Sequence, residues 1–119
     1  MKKLFISQPM NGLTDKEILE TRTQILMDVV EKYKEPFQLI DSFIDETPKN
    51  KNVPLAYLGQ SILFLSDADV AYFGKSWQDT RGCCIEYDCA IKYGVETIVS
   101  EFDAHKTAIG RRLDAGLFD

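Results

Sequence analysis

Glu86 and Gly82, four residues apart, are the pair in this chain whose types and spacing point to chemistry. They fall in a segment that reads as a helix, opened near Asp79 or Thr80 and stopped at Gly94. Residues four apart share a helix face, and glycine inside a helix costs about 1 kcal/mol against alanine. Removing a side chain beside a carboxylate lets a small molecule approach that carboxylate closely. A solvated surface glutamate, with a glycine that lets helix and strand pack tightly, would give the same pattern.

The elements around this pair must position it. Val70-Ala71-Tyr72-Phe73 is an apolar run of the kind found in a strand buried on both faces. Gly74 ends it, and a polar loop with the only tryptophan, Trp77, leads to the helix. At the start of the chain, residues 2–7 read as a strand centred on Leu4-Phe5-Ile6, followed by the loop Ser7-Gln8-Pro9-Met10-Asn11-Gly12. Thr14 and Glu17 have the form of a capping box. Ile18, Ile25, Leu26, Val29, Val30 and Tyr33 then recur at helical spacing until Pro36. Phe37–Ile40 is a second strand with Asp41 and Ser42 at its end, and residues 45–52 are a polar loop. Pro54 starts a second helix with Leu55, Leu58, Ile62 and Leu65 on one face. Thr97-Ile98-Val99 is a fourth strand, and residues 104–117 read as a terminal helix.

Strands alternating with helices imply βαβ units and a parallel sheet of four or five strands in a three-layer α/β domain of flavodoxin or Rossmann-like type. One domain spans 1–119, with its core in 1–100 and a C-terminal helix in 101–119. The order 2-1-3-4 creates a switch point between strands 1 and 3, where ligands meet the carboxyl ends of a parallel sheet. That gathers Ser7–Gly12, Asp41, Ser42 and the Trp77–Glu86 segment around one crevice. The Ser7–Gly12 loop leads to a helix N-terminus, whose free N–H groups favour an anion. It lacks the lysine of a Walker loop and is not a GxGxxG turn; a plain strand-to-helix connection has the same pattern.

Composition limits the partners. A net charge of −5 opposes a polynucleotide or an anionic membrane, and no apolar run approaches the ~20 residues of a membrane span. Met1-Lys2-Lys3 leads to too few apolar residues for a signal peptide, so a cytoplasmic location is expected. Cys83, Cys84 and Cys89 share one helix and, with the single His105, make no zinc spacing; packed cysteines without a metal or cofactor are expected.

Three motifs together resemble a family. FISQPMNG, ADVAYF and W-x-x-T-R-G-C-x-I-E-x-x-x-A are similar to motifs of the nucleoside 2-deoxyribosyltransferase-like superfamily, from about Lys2 to Val99. The small bacterial and phage branch is the nearest in pattern, with Y-I-S-G-P-M and G-W-x-x-S-x-G-A-x-x-E. The resemblance implies a nucleoside or nucleotide ligand and an N-glycosidic bond cleaved or transferred through Glu86 as nucleophile. It implies that Ser7–Gly12 holds the sugar 5′ end or its phosphate and that Thr80 contacts phosphate or base. Trp77, Arg81 and Gly82 belong to the same motif. It also implies a homo-oligomer, a dimer or larger, because family sites are closed by a neighbouring subunit.

The chain departs from the pattern twice. Phe5 stands where the family often has the tyrosine whose hydroxyl holds the glutamate, and Ser61 stands where the catalytic acid is expected. A serine hydroxyl can hydrogen-bond a leaving base but is a poor acid at neutral pH. Asp79 is the candidate replacement, while Asp67 and Asp69 are expected to cap and terminate structure. Two rivals to an enzyme stay open: a non-catalytic nucleotide binder that senses or sequesters a signal, as in phage anti-defence, and an assembly module with a vestigial pocket.

Overall fold

Alternation along the first strand divides the core in two. The structure, a computed structural model, describes residues 1–100; the helix expected at 104–117 lies outside the described residues. In β1 (Lys2–Ser7), Leu4 and Ile6 point to one face of the sheet and join Ile25, Val29, Phe37 and Val70. Phe5 points to the other and joins Leu65, Ala71, Phe73, Trp77, Cys83 and Ala90. The first set takes residues from α1 (Asp15–Tyr33), the second from α2 (Val53–Leu65) and α3 (Arg81–Lys92). The result is a three-layer α/β fold, with α1 on one side of the sheet and α2 and α3 on the other.

All the strand pairings among the described residues are parallel, and with β2 (Phe37–Leu39), β3 (Val70–Phe73) and β4 (Glu96–Val99) the order is β2-β1-β3-β4. This is the expected order, and it puts the switch point between β1 and β3. Ser7 lies opposite Phe73 in register. Beyond them the Gly74 amide donates to the Ser7 carbonyl at 2.8 Å, where a Cβ on Gly74 would stand 3.2 Å from Gln8 Cβ. The two strand ends therefore leave the sheet pressed together. At the other end Asp69 accepts from the Lys3 amide at 2.7 Å, a structural role.

Local signals set the helix ends. Thr14 Oγ1 accepts from the Glu17 amide and Glu17 Oε1 from the Thr14 amide, at 3.1 and 2.9 Å. Asn52 caps α2 through the Leu55 amide, one residue before the helix and two before Pro54. Thr80 is the cap residue of α3, but its side chain makes no cap bond. Ahead of α3 a 3-10 turn, Trp77–Asp79, is fixed by aromatic contacts. The Trp77 ring stacks on Tyr87 at 4.4 Å, and Phe73 meets Tyr87 edge-on at 5.2 Å. Among the described residues no helix is long and apolar enough to cross a membrane.

Gly12 closes the loop after β1 with φ +82°, in a turn where the Leu13 amide donates to the Met10 carbonyl at 3.1 Å. An alanine Cβ there would meet nothing within 4 Å. The cost of Gly12→Ala is therefore conformational, about 1 kcal/mol for a left-handed non-glycine residue. The thermal midpoint should fall by about 4 °C, and an unchanged midpoint would show that the loop relaxes without strain.

Candidate functional site

Three residues of α3 point inward at helical spacing: Cys83, Glu86 and Ala90. A carboxylate thus takes a place in a stripe that is otherwise apolar. Glu86 is only 6% exposed. Ser7 has the parity of Phe5, so its side chain leaves β1 on the α3 side, and its Oγ donates to Glu86 Oε1 at 2.5 Å. Ser61, on α2, also hydrogen-bonds Glu86. Phe5 packs in the core, and Ser7, two residues on with the same parity, supplies the hydroxyl that holds Glu86.

Burial pushes the Glu86 carboxyl above its ordinary value near 4.5; hydrogen bonds from Ser61 and Ser7 and the charge of Arg22 oppose the shift without cancelling it. Burial likewise pushes the neighbouring Cys83 thiol up to about 11, so it is neutral and is no nucleophile at ordinary pH.

Glu86 opens onto a cavity of about 430 Å³, within the range of small-molecule sites. The end of β1 contributes Ser7, and the loop after it Gln8, Met10 and Asn11. The segment after β2 contributes Ser42 and Ile44, α2 contributes Pro54, Tyr57, Leu58 and Ser61, and α3 adds Thr80, Gly82, Cys83 and Glu86. A Cβ on Gly82 would meet only Leu58 Cδ1, at 4.0 Å. Close packing therefore does not require glycine there; its missing side chain widens the cavity beside Glu86.

Several expected site residues stand elsewhere. Trp77 is 2% exposed in the aromatic core and is absent from the lining, because its large apolar ring is better buried than wet. Asp79, on the 3-10 turn, is exposed and off the lining, so it does not replace the acid expected at Ser61. Arg81 is exposed and lines an adjoining groove between α2 and α3, with Leu55 and Ile85, rather than the cavity itself. Pro9 and Gly12 shape the loop without lining the cavity, and Asp41 is exposed beside it. The N-terminus of α1 is not the anion site either. Its capping box takes the Thr14 and Glu17 amides, and Asp15 and Glu17 make its first turn acidic, which disfavours an anion there.

Arg22 was not singled out from the sequence, yet it lines the cavity and is 5% exposed. Its Nε donates to Gln8 Oε1 at 3.3 Å, and its guanidinium lies 4.9 Å from the Phe43 ring centre. The signal was available: Arg22 falls in the stripe of Ile18, Ile25 and Val29, a cation on an apolar face. Tyr57 and Ile44 carried no such mark. Among the described residues no group of three or more His, Cys, Asp or Glu is arranged to hold a metal ion.

Comparison of the chain with protein-family models, curated proteins and solved structures finds no match in any of the three.

The burial of Glu86 has a consequence for stability. Its folded-state value lies above the unfolded one, so between the two values the folded chain keeps a proton that the unfolded chain has lost. This contribution is full below the unfolded value and is lost as pH rises through the folded value. Glu86→Gln removes the titration and keeps an acceptor for Ser7. Its thermal midpoint should exceed that of wild type by a margin that grows from pH 4 to pH 8. A margin independent of pH in paired melting curves would contradict the buried-carboxylate account.

Proposed function

We propose that the cavity binds a nucleoside or nucleotide and that the protein cleaves or transfers its N-glycosidic bond, with Glu86 as the nucleophile. The observation that carries this is the Glu86 carboxylate, buried at 6% exposure, held by Ser7 Oγ at 2.5 Å and beside the open space at Gly82. The motif resemblance points the same way. The net charge of −5 favours a free small molecule over a polynucleotide.

In the proposed reaction a Glu86 oxygen bonds to the anomeric carbon while the C–N bond breaks and its electron pair leaves with the base. The base takes a proton from water. Water or a second base then attacks the same carbon, and the carboxylate of Glu86 is restored. Ser7 orients the carboxylate, and Thr80, whose hydroxyl is not used as a helix cap, is available to the ligand. Only ionised Glu86 is a nucleophile, so the acid limb of the rate should sit above the ordinary carboxyl range, in line with its raised value.

A non-catalytic binder is favoured by one observation. Among the described residues Glu86 is the only carboxylate lining the cavity, whereas glycoside cleavage ordinarily uses two. Ser61 stands next to Glu86 but is a poor proton donor. Slow turnover is therefore expected, with preference for bases that leave easily.

Base release, followed by chromatography over a panel of nucleosides and 5′-nucleotides, separates the two readings. Glu86→Gln should abolish release while binding stays within about threefold, because the amide is nearly isosteric and not nucleophilic. Ser61→Asp should accelerate release, by roughly tenfold or more if a general acid is what the cavity lacks. Binding without release by wild type and by both variants would replace the enzyme with the binder.

A further inference from the structure

Arg22 is the one cation that lines the cavity among the described residues, and its terminal nitrogens have no hydrogen-bond partner among them. The side chain is nonetheless held in place. Gln8 takes its Nε, and Phe43 lies against its guanidinium. Buried arginines are ordinarily saturated by carboxylates or carbonyls, since an uncompensated buried cation is costly. Among the described residues no ion pair forms here: Asp41 is exposed, Glu86 is bonded to Ser7, and both act on Arg22 only through their charge. An edge of two N–H-bearing nitrogens, fixed by its Nε and its flat face, matches two oxygens of one oxyanion.

We propose that Arg22 is the oxyanion-recognition residue of this cavity and that its ligand carries a phosphate group bound by the terminal nitrogens of the guanidinium. In the nucleotide reading, on which this identification of the ligand rests, the 5′-phosphate of a nucleoside monophosphate sits at Arg22 and the sugar extends toward Glu86. Gln8 and Ser42, which line the same cavity, are hydrogen-bonding groups available to the remaining phosphate oxygens. The capped, acidic N-terminus of α1 leaves this task to a side chain rather than to helix amides. The order of elements explains why α1 supplies it. Arg22 lies on the buried stripe of α1, and Gln8 directly follows β1 at the switch point.

The test is calorimetry on the full chain with paired ligands, a nucleoside and its 5′-monophosphate, for wild type, Arg22→Gln and Arg22→Lys. Wild type should bind the monophosphate at least about tenfold more tightly than the nucleoside. Arg22→Gln should lower monophosphate affinity to that of the nucleoside, while nucleoside affinity changes less than about threefold. Arg22→Lys, which keeps the charge but not the paired edge, should retain part of the preference, and it serves if the glutamine variant does not fold. Equal losses for both ligands in the folded variant read would make Arg22 structural. An undiminished phosphate preference in that variant would assign the anion to Thr80 and the start of α3. Either result overturns the proposal. Inorganic phosphate is titrated in parallel by thermal melting. If neither nucleoside nor nucleotide binds wild type, the nucleotide reading fails alone. Arg22 then stands as an oxyanion site if phosphate raises the midpoint of wild type and not of the Arg22 variants, and falls if it does not.

Discussion

The hydrogen bond from Ser7 to Glu86 ties the end of the first strand to the middle of the last described helix. A carboxylate taken out of water is expensive unless it is bonded and its charge compensated. At 6% exposure, with hydroxyls from Ser7 and Ser61 and the field of Arg22, Glu86 is partly compensated, and its upward shift records the remainder. The other features hold these groups together. Parallel pairing of β1 with β3 aligns Ser7 with Phe73, and the Gly74 amide locks the strand ends. The stacking of Trp77 on Tyr87 then sets where α3 begins. Burial of those aromatic rings is worth several kcal/mol and so offsets the penalty of the site beside them.

Charge is distributed in the same spirit on the opposite wall. Glu86 interrupts the apolar stripe of α3, and Arg22 interrupts that of α1. Had the two met directly, a buried ion pair would have filled the cavity and satisfied both. Instead Glu86 is held by hydroxyls and Arg22 by an amide oxygen and a ring, and about 430 Å³ remains between the elements that carry them. Polar groups kept apart in this way lower stability in the empty protein and become useful when a ligand joins them. That separation distinguishes a candidate site from a packing defect.

Having one carboxylate among the described residues of the lining limits the proposed chemistry. A nucleophile can be provided by Glu86 alone, but protonation of a departing base has no strong acid among the described residues of the cavity. The exposed position of Asp79 follows from the short 3-10 turn: burying Trp77 turns the residue two positions later outward. On the proposed reading, slow glycosyl chemistry and ligand retention would be neighbouring outcomes of one geometry, divided by the leaving group and not by the fold.

Periodicity and end signals are local, and the chain determined them by itself. Apolar runs marked the four strands, Thr14 with Glu17 marked the start of α1, Asn52-Val53-Pro54 lay at the start of α2, and Gly94 followed the end of α3. The alternation of elements then left few topologies, and the order β2-β1-β3-β4 was among them. Glu86 beside Gly82 was legible because both lie within one helical turn. What the sequence could not determine was which distant side chains meet. Ser7 and Glu86 are 79 residues apart, and their contact exists only because strand parity and sheet order bring them to one face. Trp77 read as a site residue because it opens the motif that follows the third strand, whereas its neighbours in space are Phe73 and Tyr87. Arg22 shares its stripe with Ile18, Ile25 and Val29, but only packing brings it to Gln8 and Phe43. Local structure depends on residues three or four apart, but the electrostatics of a cavity depend on every group within a few ångströms, and only the tertiary fold decided which groups those were.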